Sequence, residues 1–335
     1  MLFFLLAGTS IVFGNSDGTA EKTDGIKISG ALFAEYAQAL NGSKDGHFAL
    51  NRVRLTVRKN LPGIFSFRVT LDALGLEDPE KEGYEALVKY AYLQAAPKLG
   101  PVAVTFQGGM IGTPSTSLVN SLTGIRWIGN TYIGVSKNIL ADAAGAALSI
   151  DTTADLGISL KANISDVVIL TGALTNGEGY KNVDTDTLYK GKAYYSTLVF
   201  NPLKSIYING FFRYFQKDAV TDLMYYGGGV AWKGTIFSTG AHVIGVTNDT
   251  GSSASGFLIE GWINLNFNTI IGLPVLVIGR AGIAHSLDDT DNGQYGGGLG
   301  YKFNKNVQTA VYYEYTRDFE QNNEHLLSWK GEVKI

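Results

Sequence analysis

The chain has 335 residues, 45% hydrophobic and 17% charged, with a formal net charge of -3 and no cysteine. This leaves no basic footprint for nucleic acid and no disulfide, thiol nucleophile or cysteine-metal site. At a mean hydropathy of +0.06, it also leaves no bundle of spanning helices, because past the N-terminus no apolar run approaches the ~20 residues each would require.

Glycine (42), tyrosine (18) and phenylalanine (17) outweigh proline (7) and methionine (3), a composition suited to many strands, tight turns and aromatic girdles. At the start, LFFLLAGTSIVF before Gly14 has the length of a secretory apolar core, which predicts a signal peptide over 1–14 and a short polar segment over 15–25. No Lys or Arg precedes the run, so the basic part of such a signal would lie upstream; a buried strand or helix is the alternative.

From Ile26 onward one strand-like segment follows another. The first six are placed at 26–36, 48–58, 64–74, 85–96, 101–111 and 155–164; the next five at 167–176, 191–201, 205–215, 223–233 and 235–247; the last five at 256–267, 274–285, 293–303, 307–317 and 325–335. Each is near the 9 to 11 residues of a tilted membrane strand. The hairpin from Phe48 to Ala73 shows the pattern best. Val53, Leu55, Val57, Phe65, Phe67, Val69 and Leu71 fall on one face, with Arg52, Arg54, Thr56, Arg58, Arg68, Thr70 and Asp72 on the other. GFLIEGWINLNF repeats it, placing Phe257, Ile259, Ile263 and Leu265 opposite Glu260, Asn264 and Asn266. A closed barrel in lipid satisfies both faces, one meeting acyl chains and the other a watery interior.

The connections alternate in length. KNLPG, APKLGP, NISDV, NPLKS, KG, NTIIGLP and NKN are short; ALNGSKDG, LGLEDPEKEG, GEGYKNVDTDTLY, QKDAVTDL, NDTGSSAS, SLDDTDNG and RDFEQNNE are longer. That is the asymmetry of an outer-membrane barrel. About sixteen strands over 26–335 are thus predicted, an all-β transmembrane antiparallel barrel with both chain ends on the short-turn side. The third long connection, 113–154, is the exception: Thr113 and Pro114 predict a short helix at its start, and it is expected to fold inward as a constriction. If TYIGVSKNIL and 146–150 were strands instead, the count would be eighteen.

FALNRVRLTVRKNLPGIFSFRVTLD, ALVKYAYLQ, VAVTFQGGMIGTPSTSL, DLGISLKAN, VVILTGALTNGEG and AYYSTLVFNPL, spread over roughly the first 200 residues, together resemble the phosphate-selective porin O and P family of bacterial outer-membrane channels. The resemblance implies a sixteen-stranded trimeric porin whose long third loop enters the pore and whose basic inner wall guides anions. Arg52 and Arg54 match that family's Arg-x-Arg strand.

By strand phase the inner face carries Arg52, Arg54, Arg58, Arg68, Lys89, Lys161, Lys192, Arg213, Arg280 and Lys302, against Glu35, Asp72, Asp155, Glu260, Glu314 and Glu332. Opposed charges in a narrow pore set its ion preference. An anion bias is expected from these basic residues; the bland reading of each is a solvated wall position paired across strands. Thr113, Pro114, Arg126 and Lys137 are the residues expected in the constriction loop.

Gly108, Gly109, Gly112 and Gly296 to Gly300 lack the Lys and Ser/Thr of a phosphate loop and are expected where backbones or rings approach closely. The four histidines have no metal spacing, and no cofactor motif is present. His242 beside Ser238 or Thr239 is the best available hydrolase pairing, and a weak one. Tyr36, Trp127, Tyr225, Trp232, Trp262, Tyr313, Tyr315 and Trp329 are expected in interfacial girdles. Trp262 and Tyr312, phased inward, would alternatively form an aromatic sugar slide. The sequence therefore predicts a non-enzymatic channel of the bacterial outer membrane for small hydrophilic or anionic solutes, embedded in outer-membrane lipid. The other readings are a non-transporting barrel serving as anchor, adhesin or receptor, and a soluble all-β binding protein.

Overall fold

A computed structural model describes residues 25–41, 46–75, 83–124, 127–128, 151–177, 179–181, 191–216, 222–248, 256–286, 291–317 and 323–335. The proposed signal segment and Arg126, Lys137 and TYIGVSKNIL lie outside the described residues.

The first strands are β1 (Lys27–Ala39), β2 (His47–Asn60), β3 (Phe65–Gly75) and β4 (Tyr84–Ala95), then a two-residue β5 (Lys98–Leu99) and β6 (Val102–Gly112). Helix α1 (Pro114–Thr123) precedes β7 (Ala154–Ile164), β8 (Val168–Thr175), β9 (Lys192–Leu203), β10 (Ile206–Gln216), β11 (Asp222–Lys233), β12 (Phe237–Asn248) and β13 (Gly256–Asn266). After a one-turn helix α2 (Phe267–Ile271) come β14 (Val275–Ser286), β15 (Asp291–Lys302), β16 (Val307–Arg317) and β17 (Asn323–Lys334).

Setting aside the short β5, every long strand pairs antiparallel with its sequence neighbours, and β1 pairs with both β2 and β17, closing a sixteen-stranded barrel. Closure leaves no unpaired edge, the condition for a sheet in lipid. β6 and β7 are in register along their whole length, from Val102 opposite Ile164 to Gly112 opposite Ala154. No hairpin can stand between them, which rules out eighteen strands.

The predicted alternation is realised. Leu55, Leu93, Phe106, Leu160, Leu170 and Val243 are roughly half exposed on the outer face, forming a continuous apolar belt far larger than a soluble monomer carries. Their neighbours one residue away, such as Thr56, Ser159 and His242, are buried on the inner side. A belt of this kind belongs in lipid rather than water, so the soluble reading is excluded.

One local feature departs from the sequence reading and another agrees with it. The link NTIIGLP forms α2, where the Asn266 side chain accepts from the Asn268 N–H and Gly272 ends the turn at φ 72°; Phe267 therefore leaves the strand pattern assigned to it. In the glycine-rich strand β15, a Cβ on Gly296 would run into the Tyr312 ring. The glycine is there because the ring lies flat on it, as expected from a close approach.

Candidate functional site

Helix α1 is held against the inner wall at its N-terminus and along its apolar face. Pro114 sits at the first helical position, where its missing N–H costs nothing. Thr113 occupies the cap position but does not cap: its hydroxyl donates to the Thr152 carbonyl. The capping role falls to Asp151, whose Oδ2 accepts from the Thr116 N–H at 3.3 Å and from the Ser115 and Thr116 hydroxyls at 2.7 Å each. A carboxylate is favoured at this end of a helix by the exposed N–H groups and the dipole. Its Oδ1 accepts from the Tyr195 hydroxyl at 3.1 Å, tying the helix to β9.

Along the helix, Val119 packs with Phe211, Tyr225, Ile244 and Leu258, and Leu122 with Ala231, Trp262, Ile278 and Tyr312. Full burial of two such side chains is worth about 1.5–3 kcal/mol each, so the seat is stable. Beneath it lies Arg213, 2% exposed, its guanidinium 4.9 to 5.4 Å from the rings of Phe215, Tyr225 and Tyr195 and donating to the Gly177 carbonyl at 3.1 Å. Arg280 is likewise buried, its Nε 2.9 Å from Glu260. These two inner-wall cations are engaged within the packed side of the barrel.

Across the lumen, the Arg-x-Arg strand meets Asp72. Arg52 Nε lies 3.3 Å, Arg54 Nε 3.0 Å and Lys89 Nζ 3.0 Å from its carboxylate. Lys89 reaches it because β4 is bulged there: Thr70 opposes Tyr90 and Leu71 opposes Val88, so Lys89 is the extra residue and is re-aimed inward. Tyr180, beyond the end of β8, donates its hydroxyl to Asp72 at 3.3 Å. Burial, reinforced by the Asp72 charge, pushes the Tyr180 phenol up to about 12, so it remains a neutral donor. Three cations against one carboxylate leave this patch positive.

Between the two walls, under α1, is a cavity of about 420 Å³. Among the described residues its charged lining is Arg68, Lys161 and Lys233, with no carboxylate. The Arg68 guanidinium is stacked 4.2 Å from the Tyr90 ring centre, and its Nε donates to Thr70 Oγ1 at 3.0 Å. Lys233 donates to the Ser121 carbonyl of α1 and lies 5.5 Å from the Tyr207 ring. Arg58 and Lys302 are exposed near the ends of β2 and β15, away from the cavity lining. Lys192 at the start of β9 donates to Asn176 at 3.0 Å.

Some expectations are overturned. Tyr225 and Trp262 are buried inside the barrel (0% and 3% exposed), and Trp127 packs on the same inner cluster, so none of the three belongs to a girdle. Trp232, Tyr313 and Trp329 are exposed outside, as a girdle requires. Trp262 and Tyr312 are covered by Leu122 and Ile128 and form no open slide. His242 is fully buried and stacked 5.0 Å from Trp262; Ser238 is bonded to Asn264 and Thr239 to the Trp262 carbonyl, which leaves no nucleophile-base pair.

Asp151, Tyr180 and Lys233 were not singled out by sequence. Lys233, as the last inward position of its strand, carried the only signal that could have found one of them.

No protein-family model matches the chain, and no curated protein matches it by sequence. In structure it is similar to an anion-selective porin from Comamonas acidovorans at 10% identity and TM-score 0.65, covering 93% of this chain and 99% of that one. It is also similar to the outer-membrane channel DcaP of Acinetobacter baumannii (9%, TM-score 0.63, 92% and 97%) and to OmpT of Vibrio cholerae in a trimer form (9%, TM-score 0.63, 93% and 99%). Sheet closure, apolar belt and these likenesses agree: by fold the chain is a sixteen-stranded porin-type β-barrel of the bacterial outer membrane.

Proposed function

We propose that this barrel is a passive diffusion channel for small hydrophilic solutes that favours anions, phosphate among them. In this reading the segment 113–154 narrows the lumen, three chains assemble as a homotrimer, and no chemistry is catalysed. The observation that carries it is the cavity under α1, where Arg68, Lys161 and Lys233 meet no carboxylate among the described lining residues. Fixed cations in a confined, low-dielectric passage raise the local anion concentration and lower that of cations. The patch of Arg52, Arg54 and Lys89 around Asp72 continues the positive surface, and exposed Arg58 and Lys302 extend it towards the short-turn mouth.

The test is the reversal potential of refolded protein in a planar bilayer under a KCl gradient, with Arg52, Arg54 and Arg68 each changed to Ala. Conductance steps with an anion-selective potential that the substitutions diminish support the reading. Cation-selective steps remove the anion preference, and a folded barrel without steps favours the anchor, adhesin or receptor role.

A further inference from the structure

The cavity is chemically richer than an anion funnel needs to be. In the strand register Thr105 lies opposite Lys161, Lys161 opposite Thr171 and Thr171 opposite Thr197, and all four side chains line the cavity. They form one row across β6, β7, β8 and β9, spaced by the ~4.8 Å between neighbouring strands, with Lys161 flanked by a threonine on each side. Lys161 is exposed to the lumen and has no ion-pair partner among the described residues. Facing this row from the helix are Ser117 and Ser121, one turn apart on α1. Leu118, Ile169 and Val199 supply apolar lining beside the hydroxyls.

An inorganic anion would use the cations and the hydroxyls next to them, and would leave the far end of the row and the apolar flank without a role. The volume of about 420 Å³ lies within the range of small-molecule sites, which combine apolar lining with a few fixed polar groups. Serine and threonine hydroxyls both donate and accept, so they can pair with hydroxyls on a ligand; lysine and arginine only donate and so pair with its anionic group.

Building on the channel reading, we infer that the cavity is a binding subsite for polyhydroxylated organic anions, sugar phosphates or sugar acids. The anionic group sits at Lys161 and Arg68, and the carbon-bound hydroxyls lie along Thr105, Thr171 and Thr197 beneath Ser117 and Ser121. The solute is held by a directional hydroxyl pattern as well as by charge.

Interruption of single-channel KCl current tests this, with glucose 6-phosphate, gluconate, inorganic phosphate and glucose as separate probes on the full chain. Glucose 6-phosphate or gluconate should half-block at a concentration about tenfold below that of inorganic phosphate, ~1.4 kcal/mol, and glucose should block least. A response to glucose 6-phosphate alone assigns the site to phosphate esters, a response to gluconate alone assigns it to sugar acids, and either supports the inference. Lys161→Gln should weaken block by both organic and inorganic anions. Thr171→Val, nearly equal in shape, should weaken block by the organic anions several-fold more than block by inorganic phosphate. Organic and inorganic anions blocking equally, or Thr171→Val without selective effect in a channel that still conducts anions, would overturn the subsite while leaving the anion channel standing. Absence of channel steps would overturn the channel reading instead.

Discussion

Replacing Asp72 with Asn separates the electrostatic role of the Arg-x-Arg strand from its shape. The carboxylate is fully buried beneath Arg52, Arg54 and Lys89, which stay in place around an amide of the same size. The substitution therefore raises the local charge by one unit and changes little else in the lumen. For an ion passing ~8 Å away, a unit charge in water contributes about 0.5 kcal/mol, of which a Debye length of ~10 Å at 0.1 M salt leaves about 0.2 kcal/mol. That energy is a factor of about 1.4 up for the anion and down for the cation, or roughly a twofold rise in the permeability ratio. In 1 M salt, where the Debye length is ~3 Å, the gain should nearly vanish. The assay is the reversal potential at both salt levels, with heat-dependent electrophoretic mobility as the check on folding. Part of the destabilisation usual for a broken buried pair, about 3–5 kcal/mol at most, is relieved here because Arg52 and Arg54 remain one-fifth exposed to water. A folded Asp72→Asn channel with an unchanged or lower anion preference at 0.1 M would refute the electrostatic reasoning.

Three other perturbations address the supports of the site. Asp151→Ala removes the carboxylate that accepts from Ser115, Thr116 and Tyr195; a loss of about 1 kcal/mol, typical of a lost N-cap, should appear as larger current noise as α1 loosens, and an equally quiet channel would show that the helix is held by its apolar face alone. Gly296→Ala pushes a methyl into the Tyr312 ring and should lower the denaturant midpoint of the barrel, whereas the same change at Gly75, where a Cβ meets nothing within 4 Å, should not. The Tyr180 phenol, pushed up to about 12, lies above its unfolded value of ~10, so its contribution is full below pH 10 and lost as pH rises to 12. Over that interval the denaturation midpoint of the wild type should fall more steeply than that of Tyr180→Phe; parallel curves would mean that the phenol is not held neutral by the fold.

The sixteen strands were legible because the barrel presents each strand with oil on one side and water or packed side chains on the other, and a period of two survives even in noisy segments. Helix α1 was legible from Thr113-Pro114, but its capping carboxylate was not: Asp151 lies 35 residues beyond Thr116, and nothing in local spacing brings them together. The inward phase of Arg52, Arg54 and Asp72 could be read from one hairpin. Their convergence with Lys89 could not, since it depends on a bulge that adds a residue to β4. Assigning Tyr225 and Trp262 to a girdle failed for a related reason. An aromatic ring can lie inside a barrel when the adjoining strand offers a glycine beneath it, as Gly240 does for Trp262, and that partner belongs to a different stretch of sequence.

The same cross-strand logic explains how α1 lies between an apolar stretch of the inner wall and a polar one. On β11 to β16 the inner face is built largely from glycines, rings and aliphatic side chains, with Lys233 at the end of β11 bonded to α1 and Arg280 withdrawn into contact with Glu260. That surface offers α1 an apolar seat and a solute little. On β2 to β9 the inner face carries the cations and the threonine row, and α1 meets that surface with Ser117 and Ser121, because its apolar face there would leave polar groups unsatisfied. The orientation of α1 thus follows from the side-chain chemistry of the wall on either side of it. A change that moves α1 must alter the cavity as well, because Ser117 and Ser121 belong to its lining and the Ser121 carbonyl holds Lys233.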